Sequence, residues 1–325
     1  MNDDLVPRLL GTAGSSRAEA GAVPALIAKS GGPWVTRFRE FMASSMRNPN
    51  TRSAYLRAID RFLAWCAECG LSGLQQVEPG RVDAYFREHP GSRATVRQHL
   101  AALRGLFDAF LDADLIAVNP VSRIRAPDGR PVVRHTPILT PQQTRSFLES
   151  IECHSIVGLR DRAIIAVMVY AFARVGALVT MLREDYFESG GRYWLRLHER
   201  GGRPHAVPAH RTAASFVQAY LNAAQIDEPG GVLFRSVNRR RELTAFPLTR
   251  TDVLRMVKRR ARASRLPPGT SCRSFRATGL SAYLENGGSL ERAQAIAAHK
   301  SPRSTRRYAP PQISIPPDDL DRIRI

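Results

Sequence analysis

The sequence predicts a two-domain, mainly α protein with a small β-sheet, a helical first domain being followed by a mixed α+β second one. Three observations lead there. Apolar residues recur at helical spacing through residues 34 to 127, a stretch dense in proline and glycine interrupts that pattern near residue 130, and residues 193 to 208 alternate in the manner of paired strands. At 325 residues the chain has room for two cores of ordinary size.

Residues 1–32 are rich in Gly, Ala and Ser, lack sustained periodicity and close on Gly31-Gly32-Pro33, so a mobile N-terminal arm is expected. From Trp34 the pattern turns helical. Tyr55, Ile59, Phe62, Leu63 and Cys66 share one helix face, and Val96, Leu100, Leu103, Phe107 and Leu111 share another, which sets a helical domain over 33–127. Arg93, Arg97 and Arg104 lie off the second stripe on roughly one face, suited either to a DNA backbone or to solvent. A linker over 128–138 follows, marked by PDGRPVVRHTP.

The second domain is expected over 139–310 and opens at Thr140-Pro141-Gln142-Gln143, an N-cap with proline at the first helical position. The segment LRDRAIIAVMVYAFARVGALVTML is too broken by charge to span a membrane; it predicts a buried helix, a break at Arg174 to Gly176, and a short second helix. YWLRLHERGGRPHAVP predicts a β-hairpin turning at Gly201-Gly202. The rest reads as helix, over Leu248 to Arg262, Phe275 to Glu285 and Leu290 to Ala298, with Asn286-Gly287-Gly288 ending the second of these. Residues 311–325 form a tail.

Forty-eight Lys and Arg against 29 Asp and Glu give a net charge of +19, enough to attract a polyanion through counterion release. Double-stranded DNA is the leading partner. A membrane partner is not expected, because no run of 18 apolar residues and no lysine-rimmed amphipathic helix occurs. MNDDLVPRLLGTAG lacks a basic region followed by an apolar one, so a cytoplasmic protein is expected. Cys66 and Cys69 have CxxC spacing without a second ligand pair, and we expect structural thiols and no metal.

Chemistry concentrates in CRSFRATGLSAYLENGGSLERAQAIAAHKSPRSTRRY, which gathers Arg276, His299 and Tyr308. A phenol with a pKa near 10 becomes a nucleophile where cations stabilise its anion and the charge growing on its target. Together with Arg174, which follows a very apolar run and therefore needs an anionic partner, these residues suit attack on a phosphodiester.

The order of these motifs resembles the tyrosine recombinase (phage integrase) family over residues 34 to 310. The resemblance implies a helical, SAM-like core-binding domain and a mixed α+β catalytic domain. The family's G-L-R-x-S-E-L segment matches Ala173-Arg174-Val175-Gly176-Ala177-Leu178, giving Arg174 the role of first arginine. Its hairpin lysine falls at Glu199-Arg200-Gly201-Gly202-Arg203, where Arg200 holds its proton too tightly to be a good general acid; Arg203 joins Arg93, Arg97 and Arg104 among the expected DNA contacts. The HxxR motif falls on Arg273-Ser274-Phe275-Arg276, with arginine in place of histidine at Arg273. His299 matches the second histidine, expected to donate a hydrogen bond to the phosphate and to be the one imidazole of the motif able to act as a base. Tyr308 matches the nucleophile.

The resemblance implies site-specific strand exchange through a 3′-phosphotyrosyl link, without ATP, metal or other cofactor, by a homotetramer on two duplexes or with related recombinases. It also leaves two neighbouring readings, a recombinase-fold DNA-binding partner of weak activity and a type IB topoisomerase. The tail is expected to dock on a neighbouring subunit or on its own domain.

Overall fold

The computed structural model describes residues 23–44, 48–126, 136–199, 204–240 and 242–308. The expected tail, the centre of the linker, most of the N-terminal arm, Arg200 and Arg203 lie outside the described residues. The chain divides into two compact units, Met1–Val133 and Arg134–Ile325.

The first unit is all helix: α1 (Ala25–Ser30), α2 (Gly32–Ser44), α3 (Pro49–Glu68), α4 (Pro79–Arg87) and α5 (Arg93–Leu111). The expected stripes are its core. Ile59, Phe62, Leu63 and Cys66 of α3 meet Leu100, Leu103 and Phe107 of α5, and Trp34 and Phe110 close the centre edge to face. Burial pushes the Cys66 thiol up to about 12, the behaviour of a structural thiol. One expectation changes. Helix α1 lies inside the stretch read as a mobile arm, because Leu26 and Ile27 bury themselves in this core and the Ser30 hydroxyl accepts from the Leu74 amide.

The arginine face of α5 is not uniform. Arg93 is exposed and Arg97 half-buried, whereas Arg104 turns onto its own unit and donates to the Ile124 carbonyl at 2.9 Å. Arg104 is therefore a structural clamp here. Beneath the same helix lies a buried histidine pair. His89 Nδ1 accepts from the Gly91 amide, which leaves its Nε2 proton to donate to His99 Nδ1 at 2.9 Å. Burial, then the His89 and Arg61 charges, lower His99 to about 4, and His89 is lowered as well.

The second unit is built on α7 (Ile156–Tyr170), a helix buried nearly all round from Ala163 to Val169 and so apolar on every face. Ahead of it, α6 (Pro141–Glu149) carries the expected cap as a full capping box between Thr140 and Gln143. After α7 the chain breaks, as expected, and restarts at α8 (Val175–Leu178), with Arg174 as its N-cap. A three-stranded antiparallel sheet follows in the order β1 (Tyr186–Ser189), β2 (Arg192–His198), β3 (Pro204–Pro208). The β2–β3 pair is the expected hairpin, in register Leu195 to Val207 and His198 to Pro204.

Helices α9 (Arg211–Ala224), α10 (Arg250–Ala263), α11 (Cys272–Glu285), α12 (Leu290–Ile296) and α13 (Pro302–Arg306) complete the unit. Two strand features were not expected, one before the hairpin and one within the expected helical remainder. Strand β1 joins the hairpin through Gly190-Gly191, both at positive φ, and a second hairpin of β4 (Arg235–Val237) and β5 (Leu243–Pro247) precedes α10. Among the described residues, no helix is long and apolar enough to cross a membrane.

Two contacts fix the layers around the site. Buried Asp161 of α7 accepts from Arg260 of α10 at 2.7 and 2.9 Å and from Arg160 at 2.9 Å. Helix α11 crosses α7 so closely that a Cβ on Gly279 would overlap the Val169 carbonyl oxygen.

Gly279→Ala is expected to destabilise the second unit by about 2 to 3 kcal/mol, read from denaturant unfolding, because backbone and not a pliable side chain stands in the way. In the first unit the folded state resists protonation of His99 while the unfolded chain accepts it. Its stability is therefore intact above about pH 6.5 and falls as pH drops toward 4, by about 3 kcal/mol. His99→Gln removes most of that acid sensitivity.

Candidate active site

The end of α7 creates the site. After Tyr170 the backbone enters the left-handed region at Phe172 (φ 48°), which turns the Phe172 carbonyl toward α11 and delivers Arg174 to the start of α8. A second non-glycine residue at positive φ, Ala298 (φ 45°), follows α12 and delivers His299. Such residues cost on the order of 1 kcal/mol each and persist where surrounding contacts compel them.

The compelling contact is Arg276. It rises from the first turns of α11 into the interior, with 9% of its side chain exposed. Its Nη1 donates to the Phe172 carbonyl, and its Nη2 donates to the Ala297 carbonyl at 2.6 Å and to His299 Nε2 at 2.8 Å. Arg174 comes from the other side: its Nη1 donates to the Glu199 carboxylate and reaches the same Ala297 carbonyl at 3.4 Å. Glu199, at the end of β2, is only 8% exposed and sets its other oxygen 3.9 Å from Arg276 Nη1. Two guanidinium groups thus share one carbonyl and one carboxylate. Burial and then the Arg174 charge lower Arg276 to about 10, with Glu199 and Tyr308 opposing, so it remains charged at neutral pH.

His299 has a determined tautomer. Arginine has no lone pair to offer, so His299 Nε2 accepts from Arg276 and the ring proton sits on Nδ1, facing Thr305 Oγ1 at 2.9 Å. Burial, then Arg276 and Arg174, lower its pKa to about 4. Sequence reasoning expected this imidazole to donate to phosphate and to act as the base. Here its Nε2 lone pair is engaged by Arg276, and an imidazole with so low a pKa takes protons weakly at pH 7. Tyr308, two residues beyond α13, is half-buried against Phe172, Leu280, Ala293 and Ala297, the apolar wall beside Arg276.

Of the expected residues, Arg174, Arg276, His299 and Tyr308 come together. Arg273 does not join them. It is exposed in the first turn of α11 and lines an open cleft with Val175, Arg250 and Ser271; among the described residues it makes no hydrogen bond or ion pair. Sequence reasoning missed Glu199, Thr305 and the Phe172 and Ala297 carbonyls. The motif G-L-R-x-S-E-L has a glutamate three residues after its arginine, where this chain has Ala177, and the carboxylate beside Arg174 comes instead from Glu199. His205 of β3 reinforces the frame by donating to the Ile296 carbonyl at 3.1 Å.

The C2 proton of His299 is expected to titrate with a midpoint near 4 in an NMR pH series, the ring staying neutral from pH 5 to 8. Arg276→Ala, which removes both the donor at Nε2 and the buried charge, moves that midpoint up toward the ordinary histidine range.

The phage integrase family model matches residues 137–313, and the model of the phage integrase N-terminal SAM-like domain matches residues 35–113. The tyrosine recombinase XerD of Chlorobaculum tepidum is 27% identical over 272 residues, 80% of this chain and 85% of that protein. XerD of Pseudomonas aeruginosa is 26% identical over 267 residues, 80% of this chain and 86% of that protein. Among solved structures, a lambda integrase (75–356) dimer bound to a COC′ core site has a TM-score of 0.63 at 21% identity, covering 86% of this chain and 95% of that one. XerH recombinase bound to a palindromic difH substrate has a TM-score of 0.60 at 16% identity, covering 84% and 89%. With more than half of its length matched by the integrase model, on a fold shared with these structures, the chain belongs to the phage integrase family of tyrosine recombinases.

Proposed function

We propose that this enzyme cuts and rejoins double-stranded DNA at a specific site, with Tyr308 as nucleophile and Arg174 and Arg276 as the clamp on the scissile phosphate. The observation that carries this is the convergence of the two guanidinium groups on a single carbonyl and carboxylate, beside a half-buried tyrosine. Two planar cations so placed match the two non-bridging oxygens of a phosphodiester, whose charge grows as phosphorus becomes pentacoordinate.

In cleavage the Tyr308 Oη–P bond forms and the P–O5′ bond breaks. The phenol proton leaves, the 5′ oxygen gains one, and the phosphotyrosyl link retains the energy needed for rejoining to another 5′ hydroxyl. His299 with a pKa near 4 is a weak recipient for the first proton, and Arg200 a poor donor of the second, so water carries protons on both sides of the reaction. Arg273, exposed on α11, is suited to holding DNA backbone rather than to proton transfer.

The net charge of +19 supports a DNA substrate, Arg93, Arg97 and Arg203 being further candidates for backbone contact. The lambda integrase structures hold dimers on a core site and a tetramer on a Holliday junction, which supports a tetramer on two duplexes for this chain. A DNA strand transferase of this kind works in the cytoplasm.

On a nicked suicide duplex carrying the selected binding site, a covalent protein–DNA adduct is expected on a denaturing gel and is absent with Tyr308→Phe. Arg174→Ala lowers the adduct rate by about 100-fold or more while changing DNA affinity far less. Specific binding with no adduct from the unaltered chain leaves it a DNA-binding partner, and relaxation of plasmids lacking the site makes it a topoisomerase.

A further inference from the structure

Glu199 is a carboxylate with 8% of its side chain exposed, set between the two guanidinium groups proposed to hold an anion. Its two oxygens are divided between the two arginines: Oε2 is paired with Arg174 Nη1, and Oε1 lies 3.9 Å from Arg276 Nη1. That division is the arrangement two non-bridging phosphate oxygens require from the same clamp. A carboxylate and a phosphodiester each carry one negative charge and compete for the same N–H groups.

Both anions together are disfavoured. Arg276 already donates to Phe172, Ala297 and His299, so the N–H groups left over are few. A carboxylate kept beside a phosphorane that gains a second negative charge also opposes the transition state, most strongly where burial lowers the effective dielectric. Without DNA, the same carboxylate offsets the repulsion between two guanidinium groups that share the Ala297 carbonyl.

We propose that Glu199 is an autoinhibitory occupant of the scissile-phosphate seat, holding Arg174 and Arg276 together in the DNA-free chain and leaving the seat when the phosphate enters. Entry of DNA is then an exchange of anions at constant charge. Stray phosphate must displace the carboxylate without the help of the many backbone contacts that a duplex provides.

The seat assignment stands on geometry alone, whereas the consequence for cleavage rests on the proposed function, and the experiment separates them. Inorganic phosphate is titrated against the full-length chain and followed by thermal unfolding. Glu199→Gln, which keeps shape and removes charge, is expected to melt lower without phosphate and to bind phosphate about tenfold more tightly. Glu199→Asp, which withdraws the charge by one methylene, shifts the same way by about threefold and stands in should the glutamine variant fail to fold. In an Arg174→Ala background the gain disappears, which separates this seat from other basic surface. On suicide DNA the glutamine variant forms adduct at least as fast as the unaltered chain. Unchanged or weaker phosphate binding, or slower adduct formation at saturating DNA, overturns the proposal and makes Glu199 a holder that positions Arg174. Tighter phosphate binding with no adduct from either chain leaves the seat standing and sinks the strand-transfer reading.

Discussion

The catalytic unit depends on keeping a buried Arg276 charged beside Arg174. A guanidinium with 9% of its side chain exposed and a like charge nearby loses far more hydration than a single hydrogen bond restores, so acceptors must converge on it from several elements. The end of α7 contributes the Phe172 carbonyl, the end of α12 the Ala297 carbonyl, and β2 the Glu199 carboxylate. Neither carbonyl is offered by a regular helix interior. Each lies where the chain leaves its helix, the Phe172 carbonyl on a residue at positive φ and the Ala297 carbonyl just before one, and each exit is held by what packs around it. The close crossing of α7 and α11 at Gly279 then brings the Phe172 end of one helix against the Arg276 turn of the other. Strain, close packing and charge are thus parts of one arrangement.

Arginine also explains why a charge of +19 overstates what faces DNA. Arg104 clamps the Ile124 carbonyl, Arg183 the Ile226 and Tyr186 carbonyls, Arg37 the Ala109 carbonyl, and Arg160 and Arg260 meet on Asp161. The five-donor fork suits these duties better than an ammonium would. A protein with three lysines and many arginines can therefore place cations inside its framework and still present Arg93, Arg273 and the exposed arginines of the β4–β5 hairpin at its surface.

What was legible in the sequence was local. The stripes on α3 and α5, the Thr140 cap, the break at Arg174 and the β2–β3 hairpin each follow from residues a few positions apart. What was not legible depends on contacts distant in sequence. Strands of three to five residues such as β1, β4 and β5 carry too little alternation to announce themselves, and α1 exists because Leu26 and Ile27 find a core. At the site, residue identity gave Arg174, Arg276, His299 and Tyr308, but orientation decided their state. Arg273 and Arg276 are three residues apart on one helix, yet one is exposed and the other buried. His299 was expected to donate, and a neighbour with no lone pair makes it accept.

That last reversal depends on one contact on each side of the ring. His299 Nε2 is an acceptor only while Arg276 Nη2 points at it, and Arg276 is also the donor that a phosphate oxygen would recruit. Without that donor, nothing in the arrangement would hold the ring proton on Nδ1. Such freedom needs a partner for Nδ1 that tolerates either tautomer. Thr305 Oγ1, fully buried and 2.9 Å away, is such a partner, since a hydroxyl accepts from Nδ1–H or donates to bare Nδ1 by rotating about one bond. A carboxylate there would have fixed the proton on Nδ1 and a lysine would have fixed it on Nε2. With a hydroxyl, the Thr305 contact is compatible with either tautomer of the imidazole, and it is the Arg276 donor that selects the one with its proton on Nδ1.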